Sequence, residues 1–175
     1  MSGAADGDEQ ATPGDDATGT DTPIDTPAIR AARAAGLDVE VRRIERPRSL
    51  EEAAERYGIP PQRLLKTLVV RLSDGAYALV LLPGPAQLAW PKLRAHLGVS
   101  RISLPDAEEA RAATGYERGT ITPFGAEGDW PVLADASIRG AGTVTVGAGA
   151  HGVSLRVDAD ALLAAVDAEV VSLTG

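Results

Sequence analysis

Leu64-Leu65-Lys66-Thr67-Leu68-Val69-Val70-Arg71-Leu72-Ser73-Asp74-Gly75-Ala76-Tyr77-Ala78-Leu79-Val80-Leu81-Leu82 is the stretch on which the fold turns. Thr67–Leu72 and Ala76–Leu82 are rich in strand-forming residues, and Ser73-Asp74-Gly75 between them is a strong hairpin signal. Lys66 opens the first run. It is one of only two lysines in the chain, the other being Lys92. A charge at the mouth of an apolar strand must face solvent or a partner, so Lys66 is either a strand-edge lysine that snorkels to water or a functional cation.

Working outward, Ser49-x-x-Glu52 is a capping box, Leu50, Ala53, Ala54 and Tyr57 follow at helical spacing, and Gly58 closes that helix. Upstream, Thr26-Pro27 starts a short Ala-rich helix that Gly36 ends, and Val39-x-Val41-x-x-Ile44 reads as a strand. Downstream, Pro91 opens a helix ending at Gly98, and Asp106-x-x-Glu109 caps one ending at Gly115. Val132–Ile138 reads as a strand, Thr143–Val146 and Val153–Val157 as a second hairpin, Asp158 as a helix start, and Glu169–Leu173 as a last strand. Hairpins interspersed with helices, without regular βαβ alternation, predict an α+β domain: a mixed, largely antiparallel sheet with helices around it.

The chain has 175 residues, enough for one domain with one core, and no cysteine, which removes thiol chemistry. Two histidines make most metal sites unlikely, so neither a metal nor any other cofactor is expected. No 18-residue apolar run or basic-apolar leader occurs, and a cytoplasmic protein without a membrane partner is the expectation. The net charge of −8 is concentrated at one end: residues 1–26 hold seven acids and no Lys or Arg. Residues 1–25 are Gly, Ala, Asp, Thr and Pro with almost no bulky side chain, and are expected to be disordered, with the domain over 26–175. Arg42, Arg43, Arg46 and Arg48 form a small basic cluster, either a solvated edge or a contact for a nucleic-acid backbone.

Thr114-Gly115-Tyr116-Glu117-Arg118-Gly119-Thr120-Ile121-Thr122-Pro123-Phe124-Gly125 has three glycines and a proline around its threonines. It is poor helix or strand material and good material for a rigid loop presenting backbone N–H groups. The Thr120 and Thr122 hydroxyls either orient water or satisfy the loop's own backbone. Gly147-x-Gly149-x-x-Gly152 matches the letters of the dinucleotide fingerprint, but Val153-Ser154-Leu155-Arg156-Val157 after it alternates like a strand, so no helix N-terminus would face a pyrophosphate. A tight turn is the better reading. His151 is a residue of that turn or a substrate contact, and His96 flanks a short helix.

The order and spacing of four segments resemble the YbaK/EbsC family, the prolyl-tRNA synthetase-associated editing domain. These are Leu64–Val70 after its capped helix, Thr114-Gly115-Tyr116 with Gly119–Gly125, Asp135 in Val-Leu-Ala-Asp-Ala-Ser-Ile, and Val146-Gly147-Ala148-Gly149. The resemblance runs from about Thr26 to Leu173. It implies a curved sheet forming a partial barrel with helices outside. It also implies an aminoacyl-tRNA deacylase acting in trans on tRNA(Pro) carrying cysteine or alanine, as an ester hydrolase or, if substrate-assisted, a lyase. The partners it implies are the tRNA 3′ end, an aminoacyl-adenosine, and prolyl-tRNA synthetase. A non-catalytic module binding tRNA or a synthetase is the alternative.

Carried over on matching positions, Lys66 engages the tRNA end or the aminoacyl group. Gly119, Thr120 and Thr122 belong to the loop that closes on substrate, with Tyr116, Ile121, Pro123, Phe124 and Gly125 around it. Asp135 is an acid beside the pocket, pairing with Lys66 or binding the substrate amine, unless it only hydrogen-bonds a neighbouring loop, and Gly147, Ala148 and Gly149 form a wall. The chain departs from the family at Ile44, near which some members carry tyrosine, and at Ala150-His151, where a basic residue is common. An aminoacyl ester is already activated toward water, so a positioned water and donors aimed at the oxyanion suffice, and no Ser-His-Asp arrangement is visible.

Overall fold

The computed structural model describes residues 24–73 and 75–175. The expected disordered segment falls almost wholly outside these residues, as does Asp74 of the first hairpin turn.

Helix α1 (Pro27–Ala34) starts where Thr26 Oγ1 accepts from the Ile29 amide at 3.1 Å, with proline at the first turn. Strand β1 (Glu40–Arg43) leads to α2 (Leu50–Tyr57). In the α2 capping box Ser49 Oγ accepts from Glu52 N–H at 3.1 Å, but Glu52 reaches back one residue further than usual, to the Arg48 amide at 2.9 Å. A single 3-10 turn, Pro61–Arg63, then delivers the chain to β2 (Leu65–Ser73), which pairs antiparallel with β3 (Ala76–Pro83). Helices α3 (Trp90–Leu97) and α4 (Ala107–Thr114) end at Gly98 and Gly115. Strands β4 (Val132–Asp135), β5 (Thr143–Gly147) and β6 (Val153–Asp158), helix α5 (Ala159–Ala165) and strand β7 (Glu169–Val171) complete the domain.

The strands form two sheets, in the orders β1-β6-β5 and β2-β3-β4-β7. The first is antiparallel throughout; in the second, β3 pairs β4 and β4 pairs β7 in parallel. A parallel bridge between Leu64 and Thr145 joins the sheets beside β2, so the curved sheet expected from the resemblance is realised as two sheets meeting along one seam, not a closed barrel.

The main core fills the space between them: Val69, Leu79 and Leu81 face Val144, Val146, Leu155 and Val157, closed off by Ile29 and Leu162 from the helices. A second core lies on the other side of β3, where Val80, Leu82 and Leu133 pack with Leu93 of α3 and Leu173. β3 is therefore buried on both faces, which explains its unbroken apolar run Ala78–Leu82.

One expected strand is shorter than its composition suggests. Val132–Ile138 breaks after Asp135, because the Asp135 carboxylate accepts from the Ser137 amide at 3.1 Å and caps a 3-10 turn over Ala136–Ile138.

Candidate functional site

A cavity of about 340 Å³ opens where the start of β2, helix α2, the 115–125 loop and the β5–β6 turn converge. Four of the residues singled out from sequence line it together: Lys66, Gly119, Ile121 and Gly147. Lys66 and Arg48 are its cations, and none of the lining residues is acidic. The half-buried Lys66 ammonium has no hydrogen bond or ion pair to the described residues, and burial pushes its pKa below the ordinary lysine value. Next to it in the strand, Thr67 Oγ1 is buried with no hydrogen-bond partner among the described residues. The site thus offers a positive charge with nothing opposite it, an arrangement suited to a phosphate, a carbonyl or a developing oxyanion.

The loop is stiffened from behind. Tyr116, 4% exposed, donates its hydroxyl to the Phe124 carbonyl at 2.6 Å, and burial pushes that phenol up to about 12. The Thr120 amide and hydroxyl both donate to the Glu117 carbonyl, at 2.9 and 2.7 Å, and Thr122 Oγ1 accepts from the Phe124 amide at 3.4 Å. Both threonine hydroxyls are therefore engaged by the loop's own backbone. Gly125 is pressed against α1: a Cβ there would lie 2.6 Å from the Pro27 carbonyl oxygen. Pro123 is half-buried and Phe124 is part of the main core. Tyr116, Thr120, Thr122, Pro123, Phe124 and Gly125 stand behind the cavity wall and fix its shape. By contrast, the Gly119 and Ile121 amides, on the wall itself, make no hydrogen bond to the described residues.

Two contacts tie this loop to the glycine turn. The Gly149 amide donates to the Thr120 carbonyl at 3.2 Å, and His151 Nε2 lies 3.1 Å from Glu117 Oε2. Gly149 has φ +82°, and a Cβ there would meet Tyr116 Cε1 at 2.6 Å, so this close approach requires glycine. Ala148 is fully buried beneath the turn. His151 acts here as a strut between the two segments, while its neighbours Ala150 and Gly152 line the cavity. Ile44 holds the far side of the turn, its amide donating to the Gly152 carbonyl at 2.8 Å.

The wall that sequence reasoning missed is α2. Leu50, Ala53 and Tyr57, with Leu64, give the cavity an apolar side. The 6%-exposed Tyr57 has its pKa raised by burial, with the Ser154 hydroxyl and Arg42 opposing. Arg42 sits 5.3 Å over that ring and donates to the Tyr57 carbonyl at 2.9 Å, so this member of the basic cluster braces the wall. The helical periodicity located α2 and its buried face, but nothing local in the sequence indicates that part of this face is open to a cavity.

Asp135 lies elsewhere, 2% exposed at the end of β4 and outside the cavity lining. Its oxygens accept from the Leu173 amide at 2.8 Å, from Ser137 N–H at 3.1 Å, from the Ser137 hydroxyl, and from Thr174 Oγ1 at 3.4 Å. Burial alone would raise its pKa, but these donors outweigh it and hold the carboxyl below its ordinary value. His96 pairs with Glu169 at 2.9 Å, away from the cavity. No group of three or more His, Cys, Asp or Glu side chains among the described residues is placed to hold a metal ion, and no helix among them is long and apolar enough to cross a membrane.

Comparison with known proteins places the chain among relatives of one family. EbsC of Enterococcus faecalis, a candidate Cys-tRNA(Pro)/Cys-tRNA(Cys) deacylase, is 26% identical over 126 residues, 72% of this chain and 77% of EbsC. Proline–tRNA ligase of Thermotoga maritima is 34% identical over 100 residues, which are 57% of this chain but 17% of the ligase. The crystal structure of a candidate trans-editing enzyme for prolyl tRNA synthetase aligns with a TM-score of 0.75 at 26% identity, over 87% of this chain and 99% of that one. The model of the aminoacyl-tRNA editing domain family matches residues 45–165, and the chain belongs to that family.

Proposed function

We propose that this aminoacyl-tRNA editing domain acts in trans as a deacylase, hydrolysing the ester between a small, wrongly attached amino acid and the terminal ribose of tRNA(Pro). The single observation that carries the reading is that Lys66, with no hydrogen bond or ion pair to the described residues, lines one carboxylate-free cavity with Gly119 and Ile121. EbsC and the trans-editing enzyme to which the chain is similar support the choice of substrate class.

The chemistry follows from what the wall offers. Water attacks the acyl carbon, the carbonyl oxygen takes up negative charge, and the bond to the ribose oxygen breaks to give the free amino acid and the uncharged tRNA end. The Gly119 and Ile121 amides are the available donors for that oxyanion, and the Lys66 ammonium holds a phosphate or carbonyl oxygen of the substrate as a compact charge. Removing one such donor typically costs about 10²–10³ in rate. The apolar side formed by Leu50, Ala53 and Leu64 receives the amino-acid side chain. Cysteine and alanine are the side chains in view, and the proline ring is to be excluded. A second sieve of this kind is needed because binding distinguishes one methylene by only about 1–3 kcal/mol.

The test is deacylation of tRNA(Pro) charged separately with Cys, Ala, Ser and Pro, by the unmodified protein and by Lys66→Ala. We expect hydrolysis of at least one small non-cognate ester, sparing of the prolyl ester, and a loss of about 100-fold or more in the variant. Because Lys66 has no partner to lose and is partly desolvated, the melting temperature should move by no more than about 2 °C. Full turnover by a folded Lys66→Ala protein would remove the lysine from the reaction.

A further inference from the structure

A second cavity, of about 450 Å³, lies at the opposite end of β2. It is built where the segment after α3 runs back along the edge of β2: the Arg71 amide donates to the Ser103 carbonyl at 2.8 Å, and the Ser103 amide to the Arg71 carbonyl at 3.2 Å. This pairing brings Arg71 and Arg101 together with Arg94 from the last turn of α3, and places Ser73, Ser100 and Ser103 among them. Arg71 is already engaged, its Nε 3.7 Å from Glu109 Oε1. Arg94 and Arg101 have no hydrogen bond or ion pair to the described residues. None of the described residues lining the cavity is acidic or aromatic.

We propose that this cavity is a phosphate seat for the backbone of the tRNA acceptor stem, resting on the reading of the Lys66 cavity as the place of the tRNA 3′ end. Guanidinium groups bind phosphate oxygens through a planar fork, and serine hydroxyls add donors around it. Without an aromatic platform the cavity has no ring on which a base would stack, so it favours the backbone over a nucleobase. The two cavities lie at opposite ends of β2: Lys66 and Arg71 are five residues apart, about 17 Å at roughly 3.3 Å per residue, a distance on the scale of a few nucleotides, and the RNA sequence goes unread at the second cavity.

The experiment measures binding of uncharged tRNA(Pro) across a salt series, and kcat and KM on alanyl-tRNA(Pro) and on alanyl-adenosine, a substrate too short to reach the second cavity. The proteins compared are the unmodified chain, R94Q/R101Q and the charge-preserving R94K/R101K. We expect the slope of log affinity against log salt to fall by about 1.8 in the glutamine pair, about 0.9 for each lost phosphate contact, and to persist in the lysine pair. KM for the charged tRNA should rise roughly tenfold in the glutamine pair, while kcat on both substrates and KM for alanyl-adenosine stay unchanged. An unchanged salt slope and KM in a folded R94Q/R101Q protein would overturn the seat. So would equal slowing on alanyl-adenosine, or inorganic phosphate that occupies the cavity and is not displaced by tRNA, which would mark a free-anion site. If the unmodified chain hydrolyses none of the esters, the editing reading fails by itself, and the salt slope of tRNA binding still decides the seat.

Discussion

Asp135→Ala separates a structural acid from a catalytic one, and the geometry sets the size of the effect. The carboxylate is buried and serves two chain segments at once: it caps the turn at Ala136–Ile138 and accepts from the amide of Leu173, a residue with no exposed surface. Truncation strands that amide away from water, at about 1–3 kcal/mol for an unsatisfied buried donor. Loss of the cap adds about 1 kcal/mol. The exposed Ser137 hydroxyl can turn to solvent at little cost. The sum is about 2–4 kcal/mol. A domain of about 150 residues unfolds with an entropy near 0.3 kcal/mol/K, so Tm should drop by about 6–13 °C. The folded-state carboxyl lies below the ordinary aspartate value, so its contribution is present above that value and is lost as pH falls through the lower folded one. The stability gap between the unmodified protein and Asp135→Asn should therefore be full at pH 5 and close toward pH 2. The assays are thermal unfolding by circular dichroism over that range, and single-turnover deacylation well below the variant's Tm. Retained Tm with lost deacylation would refute the reasoning and return Asp135 to the reaction.

Two glycines on the cavity wall should respond differently to alanine. A Cβ at Gly152, φ +73°, would lie 2.3 Å from the Ile44 carbonyl oxygen, a backbone atom, so Gly152→Ala should cost about 3 kcal/mol or more by chemical denaturation. A Cβ at Gly119, φ +89°, would meet only His151 Cε1 at 3.8 Å, so Gly119→Ala should cost about 1–2 kcal/mol in stability and act mainly on kcat; equal destabilisation by the two would contradict the packing described. Tyr116, with its phenol pushed up to about 12, favours the folded state fully below the ordinary tyrosine value near 10 and loses that contribution as pH rises toward 12. Stability should therefore fall across that window in the unmodified protein and less steeply in Tyr116→Phe, where the raised phenols of Tyr57 and Tyr77 remain, as read by denaturant melts at pH 9 to 12.

What could be read from the sequence is what short-range chemistry decides. Thr26, Ser49, Asp106 and Asp158 each accept from a backbone amide three residues on, and Gly58, Gly98 and Gly115 end their helices in the left-handed conformation. Both hairpins are also local, each made by a turn between strand-forming runs. The parallel pairing of β4 between β3 and β7 is not local, and no turn announces it. The same limit applied to the cavity. Lys66, Gly119, Ile121 and Gly147 stood out by residue type and by their place in the family pattern. Leu50, Ala53 and Tyr57 read as ordinary core positions of a helix, because a side chain facing a cavity and one facing a core obey the same periodicity. Asp135 is the converse case: an acid among strand residues reads equally as reactive or as a hydrogen-bond acceptor for a neighbouring loop, and its partners, 38 residues away at Leu173 and 39 at Thr174, match the second reading.

The division between wall and backing has a consequence for how this site tolerates change. The cavity wall presents an ammonium and main-chain amides, and of these only the first is carried by a side chain. The amides are placed by residues outside the cavity lining: Tyr116 through the Phe124 carbonyl, Thr120 through Glu117, and Gly149 through Thr120. Substitution of any of these shifts the donors and loosens the loop together, so loss of activity there should track loss of stability. Lys66 is the exception, a side chain on the cavity wall with no hydrogen bond or ion pair to the described residues. Along a panel of Tyr116, Thr120 and Gly149 variants, log kcat should therefore fall with ΔG of unfolding on one line, and Lys66→Ala should lie far below it. A Lys66 variant that fell on that line would mean the lysine holds the cavity open instead of acting inside it.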